Sequence, residues 1–413
     1  MKILILMALR NLRRNTRRTI LTMSSIAFGL AVVLWLECIL AGRNKSMVDQ
    51  ITSTRTGHIQ IHRKDYLQDK LIQQTFQIPA PELAQSLPQG SQYSPRIYLP
   101  SMVSSGEQST TILLMGVDPQ AESQVTHLNS HLTKGDYLAP EPSEDCPSHQ
   151  IYIGQALAEL LKVNVGNKIV LMTQAADNTL GNDLFRVKGI FSSGSADMDK
   201  SVAYAPLNCV KKLGVLTGIH ELAIKLDDSQ MIPTVIPKIS STVQQQLKVS
   251  TWKEALPSIA ALLQGNEALV SMISAVLFIV ISLGTVNILL IGIFERIREF
   301  GVMIALGTSP LQLKAMVILE SIFLAIGSSI LGTLLGTLIV YYHMKVGFDI
   351  SPFWGNQGAV IDQFRLAQLI YPAFRIIPYL KSVGYTLIFI LIAAVYPAIK
   401  ASRLKPVEAM RSV

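Results

Sequence analysis

Charge is scarce in this chain. Only 15% of its 413 residues are Asp, Glu, Lys or Arg, against about a quarter in an ordinary soluble domain. That shortage argues against a plain soluble protein and points to long stretches that avoid water. Signatures of chemistry are missing too. There is no G-x-x-x-x-G-K-[ST] loop to cradle a phosphate, no H-E-x-x-H, no C-x-x-C and no G-x-S-x-G elbow. A membrane enzyme is therefore a poor reading, and a nucleotide hydrolase a poorer one. The three cysteines are too few for a disulfide-built scaffold.

What is present is apolar and unevenly placed. The mean hydropathy is +0.37, and most of it lies in four runs, 19–42, 268–294, 315–340 and 382–399. A helix needs about 20 apolar residues to cross a bilayer, with a range of about 17 to 25. All four qualify. The expected fold class is a membrane α-helical protein with four transmembrane helices. A large α+β extracytoplasmic domain, 43–266, is inserted between the first and second spans. The first run is longer than the 7–15 residues of a signal peptide core and is not followed by a small-x-small cleavage site, so it reads as a helix.

The net charge of +8 is equally localised. Residues 1–18 hold six basic residues and no acid, the tail from Lys400 holds four basic residues against Glu408, and 43–266 carries 19 basic and 20 acidic residues. Basic flanks of membrane spans set orientation by the positive-inside rule, so nucleic acid is not an implied partner. The expected topology has both termini cytoplasmic, 43–266 outside, the cluster 295–298 inside and 343–381 as a second outside loop. Before the first span, Ile5, Ala8, Leu9 and Leu12 share one side of a helix whose other positions include Arg10, Arg13 and Arg14. That pattern predicts an amphipathic helix on the inner membrane face.

Within 43–266 strand and helix signals alternate. Strands are predicted over 57–62, 96–99, 110–115, 221–226 and 249–252, and helices over 81–87 and 232–247. Between them lies a β-rich insertion, about 118–218, with strands over 168–173 and 184–191. Helix over 259–264 is expected to run into the second span, with Gly265 as a weak point.

Several residues stand out chemically. Cys146 and Cys209 both lie in the outside domain, either paired or as buried thiols. His58 and His62 share a strand face with Gln60. Two imidazoles without a third ligand make a weak metal site, so an exposed polar face is the expectation and no metal is assigned. Glu37, Asn287 and Glu320 lie inside spans, where a polar side chain is a functional candidate by default. Glu37 is near enough to the outer end to reach water; Glu320 needs a partner inside the bundle, or else relays protons. Ser328, Gly332 and Gly336 repeat every four residues and predict close helix packing, within the chain or across a dimer.

The densest pattern is the inside loop. Glu295 and Arg296, then Ile297, Glu299, Phe300, Gly301, Ile304 and Ala305, predict a short amphipathic helix ending at Gly307. Ser309, Pro310 and Gln312 then spell a helix start. This run resembles the coupling-helix signature of the FtsX-like or MacB-type ABC permeases. The ending Tyr396-Pro397-Ala398, Ala401-Ser402-Arg403 and Pro406-Val407-Glu408-Ala409-Met410-Arg411 is similar to that family's C-terminal motif. In the outside domain, Gly57 to His62, Gly116-Val117-Asp118-Pro119 and Val187-Lys188-Gly189-Ile190-Phe191 resemble the lipoprotein-releasing branch.

The resemblance implies a type VII exporter in a bacterial inner membrane. Two permeases, as a homo- or heterodimer, would pair with two cytoplasmic ABC ATPase subunits that hold ATP and Mg, with no cofactor in this chain. The coupling residues would be Glu295, Arg296, Glu299, Phe300, Gly301, Ala305 and Gly307. The cargo would be a lipoprotein, handed to a periplasmic carrier. The matching hairpin tip, with Asn178, Thr179, Leu180 and Gly181, lacks the prolines and basic residues of that branch's carrier-binding permease. Two other readings are a MacB-like transmitter of motion and an FtsX-like regulator of a wall hydrolase.

Overall fold

The computed structural model describes residues 2–78, 83, 86–106, 108–140, 146–243, 245–354, 360–361, 364–365 and 369–403. The expected helix at 81–87 and the motif at 406–411 lie wholly or mostly outside the described residues. The chain divides into two compact units: Met1–Lys45, Leu263–Phe353 and Gln368–Val413 form one, Ser46–Leu262 and Trp354–Ala367 the other.

Four helices among the described residues are long and apolar enough to cross a membrane. They are Thr16–Ile51, Pro257–Glu295, Pro310–Val346 and Ile376–Ser402. Each outruns its apolar stretch. The second is unbroken through Gly265, because a single glycine costs a helix only about 1 kcal/mol and long apolar neighbours on both sides sustain the ladder. The third opens on a reciprocal cap: Gln312 N donates to Ser309 Oγ at 3.3 Å and Ser309 N donates to Gln312 Oε1 at 2.9 Å. The longer third and fourth helices shorten the loop between them from the expected 343–381 to 347–375. Within it Phe348–Asp349 pairs antiparallel with Leu369–Ile370. Tyr371 is exposed, while the side chains of Phe353, Trp354 and Phe364 are not among those described.

A leader helix, Lys2–Arg14, precedes the first span. Its apolar stripe is narrower than the sequence suggests. Ala8 is buried and Leu12 packs on Leu289, Leu324 and Ala394, but Leu9 is exposed.

The inserted unit is built on one sheet of ten strands: β1 Ile59–Arg63, β2 Gln92–Ser104, β3 Ser109–Val117, β4 Leu132–Gly135, β5 Gln150–Gly154, β6 Lys168–Gln174, β7 Leu180–Phe191, β8 Val202–Pro206, β9 Glu221–Lys225 and β10 Leu247–Thr251. The order is β10-β1-β9-β2-β3-β8-β5-β7-β4, with β6 bridging β2 and β7. Each expected strand overlaps an observed one, though 57–62, 221–226 and 249–252 each overrun it at one end. The helix expected over 232–247 stops at Thr242, and the two halves are not separate sheets. β2 pairs with β9 over Gln92–Arg96 and with β6 over Ser101–Ser104. A strand of 13 residues is long enough to serve both. Ile97, Leu99, Leu114, Ile153, Phe185 and Ile224 form the continuous core, each contributing about 1.5–3 kcal/mol by leaving water.

One expectation changes here, and one open alternative is decided. β1 is not an edge with an exposed polar face: it lies between β10 and β9, and Gln60 and His62 are buried. Sequence alternation cannot tell a strand with one covered face from one whose polar face is covered as well. Cys146 and Cys209 are joined by a disulfide across 63 residues of sequence.

Candidate functional site

The loop between the second and third apolar helices folds as a nine-residue elbow helix, Ile297–Ala305. Spacing decides its inner face. Phe300 is 1% exposed and packs with Leu313, Met316, Val317 and Ala401, with Met303 and Ile304 beside them. Gly301 is buried on the same side. Gly307 adopts φ +95°, a conformation that suits glycine, and turns the chain toward the cap at Ser309. The outer face is the reverse: Val302, Leu306 and Leu311 are exposed, Leu306 to 82%, and Ala305 is exposed beside them.

Six ionised side chains hold the elbow. Arg296, at its N-cap, donates from Nε to Glu299 Oε2 at 3.0 Å and from Nη1 to Glu320 Oε2 at 3.4 Å. Its guanidinium also sits over the Phe300 ring, 5.2 Å from the centroid. Arg18, on the first apolar helix, donates to Glu320 Oε1 at 3.2 Å and to Glu295 Oε2 at 3.5 Å. Arg14, on the leader helix, pairs with Glu299. Burial pushes the Glu299 carboxyl up, but donation from Arg296 and Arg14 outweighs it and holds the group below its ordinary value. Three guanidinia and three carboxylates leave the cluster neutral. A buried ion pair is maintained at such a place because removing either member strands the other charge.

Glu320 therefore has its partners inside the bundle. They come from two directions, the elbow and the first helix, and 302 residues separate Arg18 from Glu320. An acid within an apolar run signals that some base must answer it. Which base answers is not in the pattern, and Arg14 and Arg18 read in sequence only as orienting charges.

The other candidates scatter. Glu37 is half-buried and accepts from Ser382 Oγ at 3.0 Å, so it is anchored to the fourth helix. Asn287 is exposed on the second helix. Ser328, Gly332 and Gly336 are buried and face the first helix of the same chain: a Cβ on Gly332 would lie 2.8 Å from Ala27 O, and one on Gly336 would lie 3.2 Å from Ala31 Cα. At the hairpin tip, Asn178 takes φ +66° and Leu180 is 73% exposed. Thr179 donates to Asp177 Oδ1 from N at 3.0 Å and from Oγ1 at 2.6 Å, and Gly181 lies against the Leu213 carbonyl.

The histidines pair with ordinary hydrogen-bonding groups. His62 Nδ1 donates to Arg63 O at 2.8 Å and Nε2 accepts from Ser250 Oγ at 3.0 Å. His58 Nδ1 accepts from Leu226 N at 3.0 Å. Among the described residues no three His, Cys, Asp or Glu side chains gather as for a metal ion. A charged triad in the inserted unit had no sequence signal: Arg96 donates to Glu122 at 2.7 and 3.0 Å and to Glu221 at 3.0 Å, all three buried.

The same sequence matches two families along its length. Residues 19–242 match the MacB-like periplasmic core domain, and residues 271–406 match the FtsX-like permease C-terminal region. The lipoprotein-releasing system transmembrane protein LolC of Xylella fastidiosa is 22% identical over 98% of this chain and 96% of its own length. The macrolide export ATP-binding/permease protein MacB of Nitrobacter winogradskyi is 23% identical over 96% of this chain, which spans 58% of that longer protein. The solved periplasmic region of MacB from Actinobacillus actinomycetemcomitans, 15% identical, covers 52% of this chain and 98% of its own at a TM-score of 0.36, too low to bear on the argument.

Proposed function

We propose that this chain, which belongs to the family of FtsX-like ABC transporter permeases with a MacB-like periplasmic core domain, extracts acylated proteins from the inner membrane of a bacterium for transfer to the outer membrane. The observation that carries the mechanical part is the two-faced elbow. Phe300 and the Arg296–Glu320 pair tie its inner face to the bundle. Val302 and Leu306, with Leu311 just beyond it on the third helix, leave an open and largely apolar face beside the exposed Arg298. An exposed apolar tip on a clamped helix is a surface that a partner can grip and push without first ordering it.

In this reading both termini and the elbow are cytoplasmic, and two separate ATPase subunits bind ATP and Mg and press on the elbows of two permeases. Glu299 and Arg296 set the elbow's angle, and the stroke reaches the periplasmic domain through the spans. The near full-length similarity to LolC favours lipoprotein as cargo. The hairpin tip, with neither proline nor basic residues between 174 and 183, favours a second reading in which the chain transmits motion to an outside apparatus, as a MacB-type permease would.

The test is reconstitution with the co-purifying ATPase in vesicles loaded with a triacylated lipoprotein. ATP-dependent release of that protein supports extraction; ATP turnover that moves the domain without release favours the transmitter. Labelling that placed Arg298 and Lys134 on the same side of the membrane would overturn both.

A further inference from the structure

Two adjacent arginine pairs near the N-terminus divide in the same way. Arg14 pairs with Glu299, and Arg18 pairs with Glu295 and Glu320. Their neighbours Arg13 and Arg17 turn away from those carboxylates. With Arg10 they are exposed and, among the described residues, pair with no acid. The leader helix and the first span keep one hydrogen-bond ladder across their junction: Asn15 N donates to Asn11 O at 3.3 Å and Thr19 N to Asn15 O at 3.0 Å. Steps of three and four residues therefore stay on one side. Arg10, Arg13 and Arg17 accordingly line up with Leu21 and Phe28, each 68% exposed. Ala8 and Leu12 face the other way, into the bundle. The result is one open stripe, cationic below and apolar above.

We propose that this stripe binds an anionic phospholipid of the leaflet at the N-terminal end of the first span, its phosphate on Arg13 and Arg17 and an acyl chain along Leu21 and Phe28. Length fits. Eleven residues separate Arg17 from Phe28, about 16 Å of helix, and the hydrocarbon of one leaflet is about 15 Å deep. Arg13 and Arg17 are one turn apart, with Cβ atoms about 6 Å apart, so both guanidinium forks reach one phosphate. Charge selects the class. The first acid of the chain is Glu37, so the stripe offers nothing to the ammonium of a zwitterionic headgroup. Each of its cations instead favours a net negative one, with Arg10 adding to the field. A second copy of the chain laid on the stripe would set arginine against arginine. The binding does not depend on what the permease carries.

The test places the full chain in nanodiscs of equal parts phosphatidylglycerol and phosphatidylcholine, then counts the lipid retained after mild extraction by native mass spectrometry. Retained lipid should be enriched in phosphatidylglycerol at least about tenfold. Arg10→Gln/Arg13→Gln/Arg17→Gln alters exposed side chains only and should remove that enrichment. Lys314→Gln/Lys400→Gln/Arg403→Gln takes three cations from the end of the bundle where Leu313 and Ala401 pack together, and should leave it in place. Glycerophosphoglycerol, the same headgroup without chains, should not displace the lipid. Equal retention of the two lipids would overturn the proposal, as would enrichment that survives the arginine triple variant. An equal loss in the second triple variant would overturn it too, by making bulk charge the cause. Displacement by the deacylated headgroup would do the same, by reducing the stripe to a phosphate site.

Discussion

The Arg296 guanidinium donates to Glu320 Oε2 at 3.4 Å, with both side chains less than a tenth exposed, and so fastens the N-cap of the elbow to the body of the third apolar helix. Removing one member should be worse than removing both. Glu320→Ala leaves Arg296 and Arg18 facing a void, at a cost of about 3–5 kcal/mol. Glu320→Leu/Arg296→Met replaces charge by apolar volume and should recover much of that loss. Denaturant unfolding in detergent checks the order of the two. A single variant as stable as the double would dismiss the pair as a fastening.

The outer face of the elbow makes the opposite prediction. Leu306 is 82% exposed and Val302 45%, so Leu306→Asp should change stability by no more than about 0.5 kcal/mol. Its effect should fall on the partner, as loss of the co-purifying ATPase from the complex. Pull-down from solubilised membranes measures this directly, and full retention of the ATPase would count against gripping at the tip.

Helix packing can be probed at Gly332. A methyl there would come within 2.8 Å of the Ala27 carbonyl oxygen, which is backbone and cannot swing aside. Gly332→Ala should therefore cost about 1–3 kcal/mol by overpacking. Gly384, with nothing within 4 Å of its added Cβ, is the control, and Gly384→Ala should be neutral or slightly stabilising. Equal melting temperatures for the two variants would remove the close approach.

The inserted unit should weaken in mild acid. Burial holds the His220 imidazole below its ordinary value. Its Nδ1 accepts from Tyr98 N at 3.1 Å while Nε2 donates to Ile72 O at 2.8 Å. Protonation would set a second donor against the Tyr98 N–H. The folded state thus binds fewer protons than the unfolded one below about pH 6.5. Stability from this group is complete above that pH and falls as pH drops toward the lowered folded value, by up to about 1.4 kcal/mol per pH unit. Urea melts from pH 7.5 to 5.5 should show a smaller slope for His220→Gln than for the natural chain; identical slopes would refute the assignment.

Reduction should destabilise the same unit. The Cys146–Cys209 bridge closes 63 residues, and the chain-entropy relation puts that closure at about 4 kcal/mol. Cys146→Ala/Cys209→Ala should lower the unfolding midpoint accordingly without altering the spans. A midpoint unmoved by dithiothreitol would mean that the unfolded chain gains nothing from losing the bridge.

Sequence alone settled what depends on composition within a window. Four apolar runs became four helices, because a bilayer-length stretch almost free of charge has no other stable backbone arrangement in lipid. The Ser309-Pro310-Gln312 start, the glycine stop at Gly307 and the amphipathic elbow were legible for the same local reason. Tertiary structure decided which distant groups meet. It chose Arg18 and Arg296 as the answer to Glu320, turned the small-residue stripe toward the first helix of the same chain, and buried His62 beside Ser250 and the Tyr66 ring. It ran β2 through both halves of one sheet. Those outcomes depend on contacts between segments hundreds of residues apart, where periodicity carries no information and only complementary shape and charge select the partner.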